Sequence, residues 1–562
     1  MKANHLSRVH RAAVHAASAW ASRWLLPLAI VASLLRAAPV EAETGSWSTP
    51  VSISQDGTAT KGSWFPSIAA DNFGNVHVVW NAEFPDTKVT ADDQQAHLDL
   101  AAAEHGATGE SGLMAQLAGL FYARSENGSA WTKPVDVGLA WWGTAMRSSI
   151  AVDLAGRLHL IRLGMGQVTS TVGDTWNISQ MFDDRDLWFT EAVGTQANQI
   201  HAWSAPVLLS RYAVGYYSDL AIDSKGVTHA ILMEADNGNW GLYYTRSADD
   251  GKTWSDPVPL DPDQPVWWYR ASMKVDAQGR IHVAWEVLDN TGSYGNVTAM
   301  KYAISIDGGQ TWKTTVFTPA AGATSAPQQP TIGVDGNGTI LLIDREPADQ
   351  RIYYRTSTDG VSWSAPKPIP GLRVGVARPY DKYDTATDSA GHVHLVAVGY
   401  PGTATDMALT HLEWDGRAWS DPQIIASAPN YPEYPRIAVG DGNKLHVVWF
   451  DGDKASIDRT PVGGIYYSTA QTNAPSAAEP LSAMATALPA TPTVVANEPS
   501  QSNSQVVSEP TVAPMPENVP PPVRTTDLPV VLSIAPVLVL LVVVTLVSLR
   551  AARLVRLPPW QS

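Results

Sequence analysis

The chain contains no cysteine. That excludes disulfides, thiol nucleophiles and cysteine-ligated metals, and leaves stability to a buried core. Basic residues are scarce too. Lys and Arg number 38 against 54 Asp and Glu, for a formal net charge of −16. With residues 1–42 and 528–562 set aside, 30 basic side chains face 53 acidic ones. Such a surface is a poor partner for nucleic acid. Long apolar runs are confined to the two ends. Lys2, Arg8, Arg11 and Arg23 precede "WLLPLAIVASLL", and the small residues of "VEA" allow cleavage after Ala42, so residues 1–42 read as a secretory signal. "LPVVLSIAPVLVLLVVVTLVSL" (528–549) is long enough for a transmembrane helix. Arg550, Arg553 and Arg556 follow it and mark residues 550–562 as a cytoplasmic tail. Residues 471–527, rich in Pro, Ala, Thr and Ser and without periodicity, read as a stalk. The expected protein is single-pass in the cell membrane, with residues 43–470 extracytoplasmic.

What fills that body is a repeat. The order apolar–small–apolar–Asp–x–x–Gly–x–apolar–His–apolar–apolar begins at Ser67, Ser149, Asp219, Ser272, Thr331, Asp384 and Arg436, with Leu341 replacing His in the fifth copy. Alternating apolar residues on either side of a D-x-x-G turn predict a two-stranded hairpin. A second hairpin follows each of the first six copies, tipped by "SENGSAW" (125–131), a degraded "VTSTVGDTW" (168–176), "SADDGKTW" (247–254), "SIDGGQTW" (305–312), "STDGVSW" (357–363) and "EWDGRAW" (413–419). The seventh copy lacks this second half. "GSWSTP" (45–50) at the other end matches the missing portion, so the N-terminal strand is expected to complete the last unit. Seven four-stranded units closed in this way predict an all-β, seven-bladed β-propeller.

The motif S-x-D-x-G-x-x-W resembles the Asp-box, or BNR repeat, of the sialidase-like superfamily, over roughly residues 45–470. The resemblance implies a propeller in which these boxes are scaffold, lying opposite the face that carries the site. For a sialidase it further implies an arginine cluster for the substrate carboxylate, a Tyr nucleophile assisted by Glu, and an acid for the leaving group. Tyr217, Tyr434, Glu234 and Glu286 are the catalytic candidates on that reading. The family's Phe/Tyr-Arg-Ile-Pro motif is missing; the nearest strings are "WYRASM" (268–273) and "YPRIAV" (434–439). That departure, with seven units where sialidases have six blades, favours recognition over hydrolysis.

The residues that vary from copy to copy are the candidate site. Three positions before the first apolar residue, at the start of each innermost strand, stand Phe65, Arg147, Tyr217, Arg270, Gln329, Lys382 and Tyr434. This cationic and aromatic ring suits a carboxylate and a sugar face. Trp64, Trp141, Trp142, Trp188, Trp203, Trp267 and Trp268 fall outside the repeat positions and are expected at the same mouth. Glu83, Glu234, Glu286, Glu346 and Asp451 approach it from the second strands. Residues 81–119, with a helical 91–105, and residues 183–215 read as insertions reaching this face. The repeated histidines sit in different blades and read as strand residues, so no metal and no cofactor is expected. The expected function is binding of a carbohydrate or other polar ligand at the mouth. A sialidase-like glycoside hydrolase and a protein–protein module are the alternatives.

Overall fold

The computed structural model describes residues 45–477, apart from 55–61, 84–116, 142–147, 164–165, 173–174, 182–185, 211–217, 237–238, 265–269, 290–295, 322, 324, 347–348, 350, 375–382, 428–430 and 453–460. Seven antiparallel sheets are arranged as blades around one axis. The first has Ser63–Ala70 innermost, then Asn75–Glu83, Leu117–Glu126 and Val135–Trp141. The second runs Ser149–Val152, Arg157–Leu163, Leu187–Val193 and Val207–Ser210. The third runs Asp219–Ile222, Thr228–Asp236, Asn239–Ser247 and Val258–Gln264, and the fourth Ala271–Val275, Ile281–Leu288, Val297–Ser305 and Lys313–Phe317. The fifth and sixth open with Gln328–Val334 and Tyr383–Thr387. The seventh comprises Tyr431–Gly440, Lys444–Gly452, Pro461–Gln471 and the N-terminal Val51–Ser52. Val51 pairs with Tyr467 and Ser52 with Tyr466, so the ring closes with an N-terminal strand as its pattern predicts. This pairing gives the last blade its fourth and outermost strand and covers the edge of Pro461–Gln471.

The polar turns work as their chemistry suggests. In the third blade Ser247 Oγ donates to Asp249 Oδ1 at 2.8 Å and accepts from Gly251 N at 2.9 Å. Asp249 accepts from Thr253 N at 2.9 Å and Thr253 Oγ1 at 2.7 Å. These bonds hold the Asp249 carboxyl down at about 2. The same set recurs around Asp307. The tryptophan then docks edge-on against an aromatic ring of the preceding blade. The pairs are Trp131–Tyr467, Trp203–Tyr122, Trp254–Phe189, Trp312–Tyr244, Trp363–Tyr302, Trp419–Tyr354 and Trp47–His411, with centroids 4.8–6.0 Å apart. One such pair at each of the seven junctions stitches the blades together, each adding about 0.5–1.5 kcal/mol beyond its buried area.

That pairing corrects two sequence readings. Trp203 is buried against Tyr122 and does the work of the second blade's box tryptophan, so it is not a mouth residue. "VTSTVGDTW" does form a hairpin, Gly166–Val172 with Thr175–Met181, but it extends the first blade's sheet. The second blade's own turn follows Leu187–Val193, whose Leu187 and Phe189 are buried and whose seven residues pair with Arg157–Leu163. It lacks Ser-x-Asp-x-Gly, which hid it. Residues 187–210 are therefore blade strands rather than an insertion, and Glu191 is tied to Arg157 at 3.2 Å. Trp64 is likewise buried in the hydrophobic core beside Phe65 and Ile68. The repeated histidines are buried strand residues. His77, His229, His282 and His446 each hold a tyrosine hydroxyl at 2.7 Å through Nδ1. Among the described residues no helix is long and apolar enough to cross a membrane. The candidate span 528–549, the signal, residues 478–527 of the stalk and the helical 91–105 lie outside them; residues 471–477, read as the start of the stalk, instead belong to the seventh blade, with Gln471 ending its third strand and Ala477 N donating to Asp441 O.

Candidate functional site: the central channel

The innermost strands of a closed propeller have one edge without a strand neighbour, so their amide groups need other partners. Side chains of the neighbouring blade supply them. Ser67 Oγ accepts from Ile150 N at 3.2 Å, and Ser149 Oγ from Leu220 N at 3.3 Å. Asp219 Oδ2 accepts from Met273 N at 3.1 Å, and Asp384 Oδ2 from Ile437 N at 3.2 Å. The donor in each case is one residue beyond the equivalent position in the next blade. This rule explains why the repeat carries Ser, Thr or Asp there, and makes the remaining copy, Arg436, conspicuous.

Inside this collar lies a cavity of about 360 Å³ lined by the innermost strands of all seven blades. Its charges are sorted. Lys274 Nζ lies 3.2 Å from Asp384 Oδ1 and donates to Thr385 O at 2.9 Å. Asp219 faces the same space; burial pushes its carboxyl up against the pull of Lys274. At the end where the innermost strands begin stand Arg270, Gln329, Tyr383, Tyr434 and Arg436.

Arg270 opens the fourth blade's innermost strand. Its Nη1 lies 3.3 Å and 3.2 Å from the two carboxylate oxygens of Glu286, which is fully buried on the next strand. Glu286 Oε1 also accepts from the backbone N–H of Gln329, one blade on, at 2.5 Å. Gln329 can present that N–H because its φ is +54°, and Phe65 at +51° and Tyr434 at +52° share the conformation. Each sits at a register shift in its strand. Bulky residues reach the left-handed region at a cost of about 1–2 kcal/mol, and such strain concentrates at functional sites. Arg345, from the fifth blade, donates to Gln328 Oε1 at 3.2 Å, while the Tyr383 hydroxyl reaches Gln328 O at 3.3 Å. Tyr434 is buried edge-on against Phe65, with the Arg436 guanidinium 3.6 Å above its ring.

Of the sequence-expected residues, then, Arg270, Glu286 and Gln329 are joined by hydrogen bonds, and Tyr434 lines the same cavity beneath Arg436. Glu346 is drawn elsewhere, to Arg355 Nη2 at 2.8 Å. Arg147, Tyr217, Lys382, Trp267 and Trp268 lie outside the described residues, as does the side chain of Glu234. Sequence reasoning missed Arg436, although its register position, an arginine among Ser, Thr and Asp, was a readable signal. It also missed Lys274, Asp219 and Asp384.

Comparison with known proteins bears on the fold. Residues 172–447 match the BNR repeat-like domain. No curated protein matches the sequence. Among solved structures, a protein of unknown function from Dyadobacter fermentans is 14% identical, covering 77% of this chain and 100% of its own, with a TM-score of 0.42. An ulvan lyase of polysaccharide lyase family PL25 is 12% identical over 77% of this chain and 99% of its own, with a TM-score of 0.44. A variant of the NanB sialidase from Streptococcus pneumoniae is 14% identical, over 74% and 70% of the two chains, with a TM-score of 0.38.

Proposed function

We propose, from the seven-bladed β-propeller and the match of residues 172–447 to the BNR repeat-like domain, that the chain recognises an acidic carbohydrate at the Arg270 end of its channel. The observation that carries the reading is the gathering of Arg270, Arg436 and two left-handed residues, Gln329 and Tyr434, on one cavity of about 360 Å³ in an otherwise acidic body. A cavity of that size suits a small sugar unit. Guanidinium groups offer paired N–H donors that match a carboxylate. Arg147 and Lys382 would add charge from the second and sixth blades. Tyr217, Trp267 and Trp268 would supply ring faces.

Two features favour recognition over a sialidase-like hydrolysis. Both oxygens of Glu286 are engaged, by Arg270 and by Gln329 N–H, which suits a structural anion better than a proton carrier. Tyr434, the nucleophile candidate on this wall, is covered by Phe65 and Arg436. The topology that accompanies the proposal is a secreted propeller held at the cell surface by residues 528–549.

A glycan array probed with the full-length protein tests the proposal. Glycans bearing uronate or sialate should be retained and their neutral counterparts should not. Arg436→Ala combined with Arg147→Ala should weaken binding at least tenfold while the melting temperature stays within a few degrees of wild type. Equal binding by that variant would overturn the site. Sialic acid released from the array, and lost in Tyr217→Phe, would replace recognition by hydrolysis.

A further inference from the structure

We propose that Asp153, His159 and Asp250 form a binding site for a divalent transition-metal ion at the junction of the second and third blades. One donor atom from each of the three lies within 4.8 Å of the others. Asp153 comes from the D-x-x-G turn of the second blade and His159 from the strand that follows it. Asp250 comes from the box turn of the third. An imidazole with two carboxylates is a donor set for zinc or manganese, whereas calcium and magnesium favour oxygen alone.

The buried histidine is the independent sign. The His159 side chain is fully buried, and its Nε2 has no hydrogen-bond partner. Nε2 lies 3.7 Å from Asp153 Oδ2, too far for a hydrogen bond. Its other nitrogen is committed. In four other blades Nδ1 holds a tyrosine hydroxyl, but here the tyrosine is replaced by Phe189 and Nδ1 lies 2.9 Å from Thr228 Oγ1 of the next blade. With Nδ1–H donated to Thr228, the Nε2 lone pair is directed at the two carboxylates, the arrangement that orients a metal-ligating histidine. Asp153 is oriented similarly. Its Oδ1 accepts from Ala155 N at 2.9 Å and Arg157 N at 2.8 Å, leaving Oδ2 as the atom nearest His159.

The other junctions show what is special here. In the fourth and sixth blades the gap is closed, with His282 Nε2 3.0 Å from Asp276 and His394 Nε2 3.2 Å from Asp388. At His229 and His77 the gap stays open at 3.5 Å and 3.8 Å, but the next blade's box carries Gly308 where the third blade has Asp250, and Gly194 is what the second blade sets against His77. Asp250 holds a φ of +59°, a conformation that Gly308 reaches at +71° without a side-chain penalty. A carboxylate has thus been placed where the backbone favours glycine. Lys252 Nζ, 3.8 Å from Asp250 Oδ2, is largely exposed and can swing away. Zinc ligands held at about 2.0–2.2 Å lie within about 4.4 Å of one another, so only a small closure is needed. Asp250 remains partly exposed and leaves room for water as a further ligand.

The test uses the full-length protein with Zn²⁺ or Mn²⁺ as the only additive, followed by titration calorimetry and thermal melting. Wild type should bind one equivalent at this site and melt at a higher temperature with metal. Asp250→Gly restores the residue type of the sister turn, so the fold should persist. It should weaken that equivalent at least tenfold and lose the metal-dependent shift. His159→Gln is the second arm and should do the same. The proposal is overturned if wild type takes up no metal. It is equally overturned if both variants bind and melt with metal as wild type does.

Discussion

Glu286 shows how the site residues depend on one another. It is fully buried and serves two donors, Arg270 Nη1 and Gln329 N. Replacing it with alanine should remove this acceptor from both. Each hydrogen bond to a charged group so lost is worth about 1.5–3 kcal/mol. Glu286→Ala should therefore melt well below wild type, and Arg270→Gln/Glu286→Gln should recover most of the loss. A double-mutant cycle by chemical denaturation measures the coupling. Additive single effects would mean that the pair does not interact.

The histidines carry a pH signature. Burial pushes His411 and His446 down to about 3, and lowers His77, His229 and His282 as well. A histidine depressed in the fold stays neutral where the unfolded chain takes up a proton. Its contribution is complete above the ordinary value of 6.5 and is lost as pH falls from there toward 3. Asp344, pushed up to about 8 by burial, acts in the opposite sense, as do Asp219 and Asp441, whose carboxyls burial also raises, three groups against five. The melting temperature should thus fall between pH 7 and pH 5, and less so in His446→Gln. Arg270, Gln329 and Glu286 were legible in the sequence because they break a repeat. Their pairing was not, because it crosses a blade junction and depends on a left-handed backbone at Gln329.

At the scale of the hairpin, glycine is where packing and backbone coincide. A Cβ on Gly251 would stand 1.8 Å from the Phe189 ring, at a φ of +78°. Gly279, at +74°, would meet nothing within 4 Å. Both alanine variants bear the left-handed penalty of about 1–2 kcal/mol. Gly251→Ala should add an overpacking cost of about 1–3 kcal/mol as the box is forced off its neighbour. Equal melting temperatures for the two would deny that the box is a wedge between blades. Five box turns could be read from sequence because Ser, Asp, Gly and Trp do the hydrogen bonding and stacking there. The second blade escaped because only its Trp203 and Gly194 keep the wedge. Gly194 sits where a Cβ would stand 2.7 Å from Gly156 O. The hydrogen-bonding side chains of that turn have been replaced.

For the whole molecule, closure is the element with the longest reach in sequence. Val51–Ser52 pairs with Pro461–Gln471, Ser48 N donates to Thr469 O at 2.8 Å, and Trp47 packs edge-on against His411 of the sixth blade. Deleting residues 45–54 should expose the edge of the last blade and lower the melting temperature by many degrees, with aggregation. Unchanged melting would mean that the ring holds without its clasp. The number of blades and the closing strand were legible because the repeat is periodic. The sorting of charge along the channel was not, because it is set by residues at different register positions, Arg270, Asp219, Lys274, Asp384 and Arg436, that meet only when the blades close. The most direct test of the channel as a recognition site is a crystal structure of the protein with a short uronate oligosaccharide. The carboxylate should lie within hydrogen-bonding distance of Arg436 or Arg270, at the end of the channel where the innermost strands begin. A ligand bound on the outer rim or among the box turns, with that mouth empty, would contradict it.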